Sequence, residues 1–413
     1  MEQKTKTFFN NTIMLYILTF SKYLLGFITV PYETRVLGPQ NYGLVGLATA
    51  IMVYFSLFID FGFLLSATAE VSSNRENKKK LSLIFTSITI NKIFLSFVGG
   101  VVLLILCFVV PSWKEHILFF SLFFLATAIG SFLPDYLYRG MEKMSSITVR
   151  TVMIQLFFTF MTFVFIRSSS DYMIIPIMKI IGNAVSLAIT YIHLYIKHKI
   201  RFIKFSLYDI LVRLKESSSF FFSRIASTVY TAANTIVLDL VSDGLFTGYY
   251  TSADRLITTA KGGLSPISDS LYPYMVKNKD FKLVKKILLL LEPIIILGSL
   301  ILFIWAEPIC IWFFGAEYAQ TANAIRALLP IVVITLPNYI FGFPVLSAVG
   351  LTRHANYSVI IASVVHVINV TILILLNKLS IVTLGIATSI TEFIILVYRI
   401  LVVVKYKKSN LKG

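Results

Sequence analysis

The sequence predicts an all-α integral membrane protein: twelve transmembrane helices, arranged as two parallel six-helix bundles around a central cavity. Three observations predict it. Of 413 residues, 57% are hydrophobic and only 14% charged, against about 25% charged in an average soluble protein. Mean hydropathy is +0.82, the range of integral membrane proteins. Twelve apolar segments each approach or exceed the ~20 residues that a helix needs to cross the bilayer core.

In chain order the segments are 8–30, 43–68, 81–109, 116–138, 147–167, 173–196, 217–241, 246–272, 284–305, 320–349, 355–376 and 381–404. The first follows Lys4 and Lys6 and is longer than a signal-peptide apolar core, so it reads as a retained span. The eighth is the most polar, and its reading as a span depends on its lining water or protein. Basic residues concentrate in alternate loops, such as Lys78-Lys79-Lys80, Arg139 with Lys143 and Arg150, and Lys277 to Lys286. The loops between hold little, and a weak basic loop at Arg353 is the exception. This asymmetry predicts both termini in the cytoplasm and explains most of the +17 net charge without a nucleic-acid partner.

Two weak echoes divide the chain. Val36-Leu37 and Tyr42-Gly43-Leu44 are shadowed by Val241-Ser242 and Thr247-Gly248-Tyr249, 205 residues on. Tyr138-Arg139-Gly140-Met141 is shadowed by Ala348-Val349-Gly350-Leu351, 210 residues on. The expected halves are 1–196 and 217–404, joined by a cytoplasmic amphipathic linker at 197–216 and followed by a basic tail at 405–413. The linker mixes Phe202, Ile203, Phe205 and Leu207 with basic residues, as an interfacial helix would. Six spans per half give both halves one orientation, with the substrate path between them.

No Walker A loop, His-Glu-x-x-His or Gly-x-Ser-x-Gly is present. The chain therefore reads as a transporter rather than an enzyme, with no cofactor or metal. Cys107 and Cys310 sit in apolar runs and read as buried small hydrophobes.

Ionisable groups inside spans are rare and face cavities or partners. Lys22 lies roughly 20 Å into the first span at 1.5 Å per residue, on one face with Thr19, Gly26, Thr29 and Glu33. The second span carries Asp60. The seventh carries Arg224, Ser227, Thr231 and Asn234 in one stripe. The eighth carries Asp254, Thr258 and Lys261, with Arg255 beside them. Lys22, Arg224, Arg255 and Lys261 form the expected cationic cavity, suited to an anion such as a pyrophosphate. Asp60 and Asp254 are left between two roles: ion coupling, or neutralising Lys22 and Lys261 respectively. Glu33 and Arg35 read as span-end structure. Lys92, Lys179 and Glu392 stand alone in sequence, and His366 reads as a satisfied core histidine.

At Arg35-Val36-Leu37-Gly38-Pro39 with Tyr42-Gly43, Asp60-Phe61-Gly62, Gly248-Tyr249-Tyr250 and Phe314-Gly315-Ala316-Glu317-Tyr318 the chain resembles a known group. This is the polysaccharide-biosynthesis branch of the multidrug/oligosaccharidyl-lipid/polysaccharide exporter superfamily. More narrowly, it resembles a Wzx-type repeat-unit flippase. The resemblance implies a MATE-like fold in a bacterial inner membrane. It implies transfer of a polyprenyl-pyrophosphate-linked oligosaccharide, for O-antigen, capsule or similar polymer, from the cytoplasmic to the outer leaflet. Its implied partners are that glycolipid, membrane lipid, an H+ or Na+ counter-ion and polysaccharide polymerase machinery, with the chain acting as a monomer. The rival readings are a multidrug or organic-cation antiporter, a lipid-linked peptidoglycan precursor flippase and, in a different class, a membrane-embedded glycan polymerase or ligase, against which the short loops between the segments argue.

Overall fold

A computed structural model describes residues 2–242 and 244–410, with side chains described from 13 to 406 apart from 223, 226, 227 and 229–231. Asp243, the side chains of Ser227 and Thr231, and the tail lysines Lys407, Lys408 and Lys412 fall outside that description.

All regular structure among the described residues is helical, without a strand. The first half runs α1 (Glu2–Asp60), α2 (Phe63–Ser73), α3 (Lys78–Val109), α4 (Pro111–Lys114), α5 (Ile117–Ser131), α6 (Asp135–Gly140), α7 (Met144–Phe165) and α8 (Ile174–His193). The second runs α9 (Leu207–Val241), α10 (Gly244–Asn278), α11 (Phe281–Ile304), α12 (Ala306–Phe314), α13 (Thr321–Phe341), α14 (Phe343–Ala348), α15 (Thr352–Leu375) and α16 (Ile381–Asn410). All twelve apolar segments fall on these helices. Nine helices of the described chain are long and apolar enough to cross a membrane; one of them, Ile13–Ser73, covers the first two predicted spans.

Local chemistry sets the helix ends. Asn77 caps α3 by accepting the Lys80 amide at 3.0 Å. Asp280 caps α11 by accepting the Leu283 amide at 3.0 Å. Ser206 donates through its hydroxyl and amide to Asp209 in the first turn of α9, which holds that carboxyl below the usual carboxylate range.

Two differences from the sequence reading concern helix breaks. The break expected between the first two spans shrinks to one residue, Gly38, with φ 71° and ψ 167° inside α1. A positive φ is open to glycine at no steric cost, and Pro39 then restarts the helix with its φ already set. The linker differs as well. Residues 200–206 are non-helical, and the helix beginning at Leu207 continues unbroken into the seventh span, so no separate interfacial helix forms.

The 210-residue echo has a structural counterpart. The fourth predicted span breaks before α6, at Pro134. The tenth breaks before α14, whose first turn holds Pro344. Those prolines are themselves 210 apart, and a proline there removes the ladder hydrogen bond in both halves.

By internal contacts the chain falls into two units: Met1–Leu25 with Ala48–Ile225, and Gly26–Leu47 with Ala226–Gly413. The core of the first gathers Phe63, Ile84, Tyr136 and Leu137. That of the second gathers Tyr250, Ala253, Phe314 and Leu328, with a further cluster around Leu336, Ile340 and Leu346.

Within the second unit the 26–47 stretch of α1 is pressed onto α10. A Cβ on Gly248 would collide with the Pro39 carbonyl, one on Gly43 with Gly244 and Gly248, and one on Gly46 with Thr251. Small residues spaced along both helices let their backbones touch, the usual device where apolar burial gives no drive to association. Arg35 donates to the Trp312 carbonyl, and its side chain fills the space beside Gly315, whose φ is 116°. A Cβ on Gly38 would meet Glu317 at 3.4 Å. Three of the stretches that carry the family resemblance, at 35–43, 248–250 and 314–318, thus belong to one packed region, and Arg35 serves structure, as its sequence position suggested.

Gly248→Ala should therefore destabilise the protein by about 1–3 kcal/mol, because the added methyl forces backbone apart. Gly298→Ala, where a Cβ meets nothing within 4 Å, should leave stability unchanged or slightly raised. Thermal unfolding of the purified variants in one detergent measures both.

Candidate functional site

The intramembrane charges assemble into two clusters, one in each unit. In the first, Asp60 closes α1 just before Phe61 and Gly62, both at positive φ. A carboxylate at a helix C-terminus faces unfavourable backbone dipoles and calls for cations. It has two. Lys92 of α3 reaches Asp60 at 3.1 Å and Arg224 of α9 at 3.0 Å. Lys92 is 3% exposed. It also donates to the Ser131 carbonyl at 2.7 Å and stands over the Tyr136 ring. Arg224 remains 38% exposed at its side chain, so the cluster presents it outward.

The expected role of Asp60 as counter-ion to Lys22 is replaced by this shared pairing with Lys92 and Arg224. Lys22 lies in the same unit, exposed on α1. Lys92, solitary in sequence, is the buried member of the cluster.

In the second unit Lys261 of α10 meets Glu392 of α16 at 2.6 Å. Glu392 also accepts from the Asn338 side chain at 3.0 Å. The Asn338 carbonyl in turn accepts from the buried Arg399 at 2.6 Å. This chain ties α10, α13 and α16 together. The pairing of Asp254 with Lys261 is thereby corrected: the two lie two turns apart on α10, and Lys261 turns instead to α16. Asp254, half-buried, has only a long contact of 3.5 Å from Thr258 and makes no ion pair among the described residues.

Arg255 is exposed. Its guanidinium lies against α1, where a Cβ on Gly26 would stand 2.5 Å from Nη2. Gly26 belongs to the polar face read from the first span, and its lack of a side chain is what seats Arg255. Lys179, also solitary in sequence, stands over the Phe123 ring at 4.6 Å.

His366 is buried and satisfied. Its Nδ1 meets Thr391 and its Nε2 meets Asn234, both at 2.8 Å. Asn234 donates onward to Tyr250 at 3.0 Å and Thr388 at 2.8 Å. The seventh-span stripe thus ends in a core network rather than an open face.

The balance of charge differs between the units. In the second, Arg255 and Lys261 stand with Asp254 and Glu392. In the first, Lys92 and Arg224 both meet Asp60, and Lys22 lies on α1 of the same unit. Such a surplus in a low-dielectric setting attracts anions, and a guanidinium grips phosphate oxygens in pairs. Sequence reasoning named the cations but missed Lys92 and Glu392 as partners. The available signal was that a lone charge inside a span needs an opposite charge somewhere.

The chain was compared with known proteins. A family model described as "Polysaccharide biosynthesis protein" matches residues 8–279. A protein of Escherichia coli (strain K12) named "Putative O-antigen transporter" is 26% identical over 342 residues, covering 81% of this chain and 82% of that one. One of the same name from Shigella dysenteriae is 29% identical over 282 residues, covering 67% and 69%. Two solved structures share the fold. The lipid II flippase MurJ, in an inward closed conformation, has a TM-score of 0.68 at 18% identity, covering 96% of this chain and 87% of its own. A multidrug resistance MATE family transporter, inward-facing, has 0.68 at 13%, covering 95% and 96%.

Asp60→Asn should cost about 3–5 kcal/mol, since it strands the buried Lys92 charge. Adding Lys92→Met should recover most of that loss. Unfolding of the two single variants and the double variant measures the coupling, and additive effects would contradict a direct pair.

Proposed function

The chain belongs to the polysaccharide biosynthesis protein family, and from that premise we propose that it is a flippase for a lipid-linked oligosaccharide. The substrate is a polyprenyl-pyrophosphate-linked repeat unit of a surface polysaccharide, carried from the inner to the outer leaflet of a bacterial inner membrane. The relatives named as O-antigen transporters support the substrate class. The twelve apolar segments, with cytoplasmic termini read from the loop charges, give six crossings per half. Movement is by alternating access, without chemistry on the substrate.

The observation that carries the reading is the cationic surplus of the first unit. Arg224 is drawn to Asp60 but shares it with Lys92, so the cluster keeps a net positive charge and an exposed guanidinium. Lys22 on α1 adds to it. In the second unit Arg255 is exposed and makes no ion pair among the described residues. Each of these three is a proposed phosphate contact within its own unit. Lys261, held by Glu392, contributes through position more than charge. Asp60 anchors two cations and Asp254 makes no ion pair among the described residues, so Asp254 is the better placed of the two for a coupling proton or sodium ion.

An organic-cation antiporter would want the opposite balance, with carboxylates in excess. The MurJ likeness gives the rival lipid-linked peptidoglycan precursor flippase its footing in fold, and both substrates present a pyrophosphate. The family match and the named relatives favour the surface-polysaccharide unit.

Deleting the gene should abolish surface polymer while lipid-linked units accumulate on the cytoplasmic side. Unchanged polymer with altered drug resistance would overturn the reading. Arg224→Gln and Arg255→Gln should each lower transport about tenfold or more, the loss expected of one charge-assisted phosphate contact. Quantified surface glycan at matched expression measures this, and two normal variants would remove them from the site.

A further inference from the structure

The second unit carries a groove of about 530 Å³ between α13 and α16, distinct from the charged clusters above. One ridge is formed by Arg326, Pro330 and Ile334 of α13, the other by Ile386, Ile390 and Phe393 of α16. Each set has the three-to-four spacing of one helical face. At 1.5 Å per residue the α13 ridge is roughly 12 Å long. The floor is set by a close approach of the two helices: a Cβ on Gly385 would come within 2.7 Å of the Ala327 Cβ. Ser389 gives its hydroxyl hydrogen to the Ala327 carbonyl at 2.7 Å. Below Arg326 the walls are therefore apolar. Ile386 and Ile390 are each 46% exposed and Phe393 54%, so the groove opens on the outside of the fold.

Its two ends differ. Ile334 and Phe393 close one end with hydrocarbon. Arg326 stands at the other, near the start of α13. Its Nε donates to the Phe303 carbonyl at 3.2 Å, and its Nη1 has a long contact of 3.5 Å with Asn323. The Phe303 ring lies beside the guanidinium at 6.0 Å. Among the described residues no carboxylate pairs with Arg326, and Nη2 has no protein partner. The side chain is held in place by α11, with part of its donor fork unused.

We propose that this groove binds a polyisoprenyl phosphate, with the chain along the α13–α16 channel and the phosphate on Arg326. The proposal rests on the flippase reading and adds to it a place for the carrier lipid outside the charged clusters. Charge complementarity selects the occupant. A terminal phosphate carries between about one and a half and two negative charges near neutral pH, whereas a phospholipid diester carries one. The channel is a single track, which suits one branched chain better than a pair of acyl chains. A bidentate Arg–phosphate contact adds direction to charge.

The test uses the full-length protein in lipid nanodiscs and a long-chain polyprenyl phosphate bearing a diazirine near its phosphate end. Photolabelling should fall on residues 323–334 and 382–393. Excess unlabelled polyprenyl phosphate should suppress it, and equal phosphatidylglycerol should not. Arg326→Gln should reduce labelling about tenfold. Ile390→Trp, which fills the channel while keeping the charge, should also reduce it. Labelling that phosphatidylglycerol suppresses equally would make the groove a general lipid contact and overturn the proposal. Labelling elsewhere on the chain, or labelling indifferent to both substitutions, would overturn it too. Because binding is read on purified protein, its failure is separable from failure of the flippase reading, which the deletion phenotype decides.

Discussion

The Pro39 carbonyl occupies the space where a side chain on residue 248 would begin. That backbone contact is the constraint on which the second unit is built. It requires glycine at 248, a turn at Gly38 that delivers α1 to α10, and small residues at the next steps along the interface. Membrane helices gain little from burying apolar surface against each other, so close backbone approach supplies much of their cohesion. Three of the short motifs that relate this chain to its family lie in that unit, and Asp60-Phe61-Gly62 packs instead on α9 of the first. Their role is packing first, and it explains why each is degenerate alone yet ordered along the chain.

Charge is arranged around that frame with an economy that limits its cost. A lysine as buried as Lys92 is tolerable only beside a carboxylate with further acceptors at hand, and Asp60 and the Ser131 carbonyl provide them. Arg224 then comes to the same carboxylate without neutralising a charge of its own. In the second unit Lys261 is matched by Glu392, and Asn338 links that pair to the buried Arg399. The first unit thus shares one carboxylate between two cations where the second matches Lys261 with Glu392, and each unit carries a helix break, at Pro134 and at Pro344.

Much of the fold was legible in the sequence because hydropathy and proline act locally. The twelve apolar segments fall on helices, and helix breaks at Pro134 and Pro344 lie where the 210-residue echo runs. The partners of the charges were not legible. Lys92 and Asp60 are 32 residues apart, and Lys261 and Glu392 are 131 apart; no local pattern joins them. The same limit hid the seat of Arg255, since nothing near residue 255 points to Gly26. At the linker, amphipathic composition suggested a separate helix, but Ser206 and Asp209 start the seventh span there instead.

The network around His366 contains one more piece of information. Thr388 gives its only hydroxyl hydrogen to the Leu384 carbonyl at 2.8 Å, so toward Asn234 it can only accept. The Asn234 amide nitrogen must therefore face Thr388, which turns its oxygen to the imidazole of His366. Thr391 stands in the same relation to Nδ1, with the Ala387 carbonyl at 2.8 Å competing for its hydroxyl hydrogen, so the two threonines together set which nitrogen of that ring carries the proton. The tautomer of a histidine on α15 is shared between two threonines on α16, one acting directly and one through an asparagine on α9.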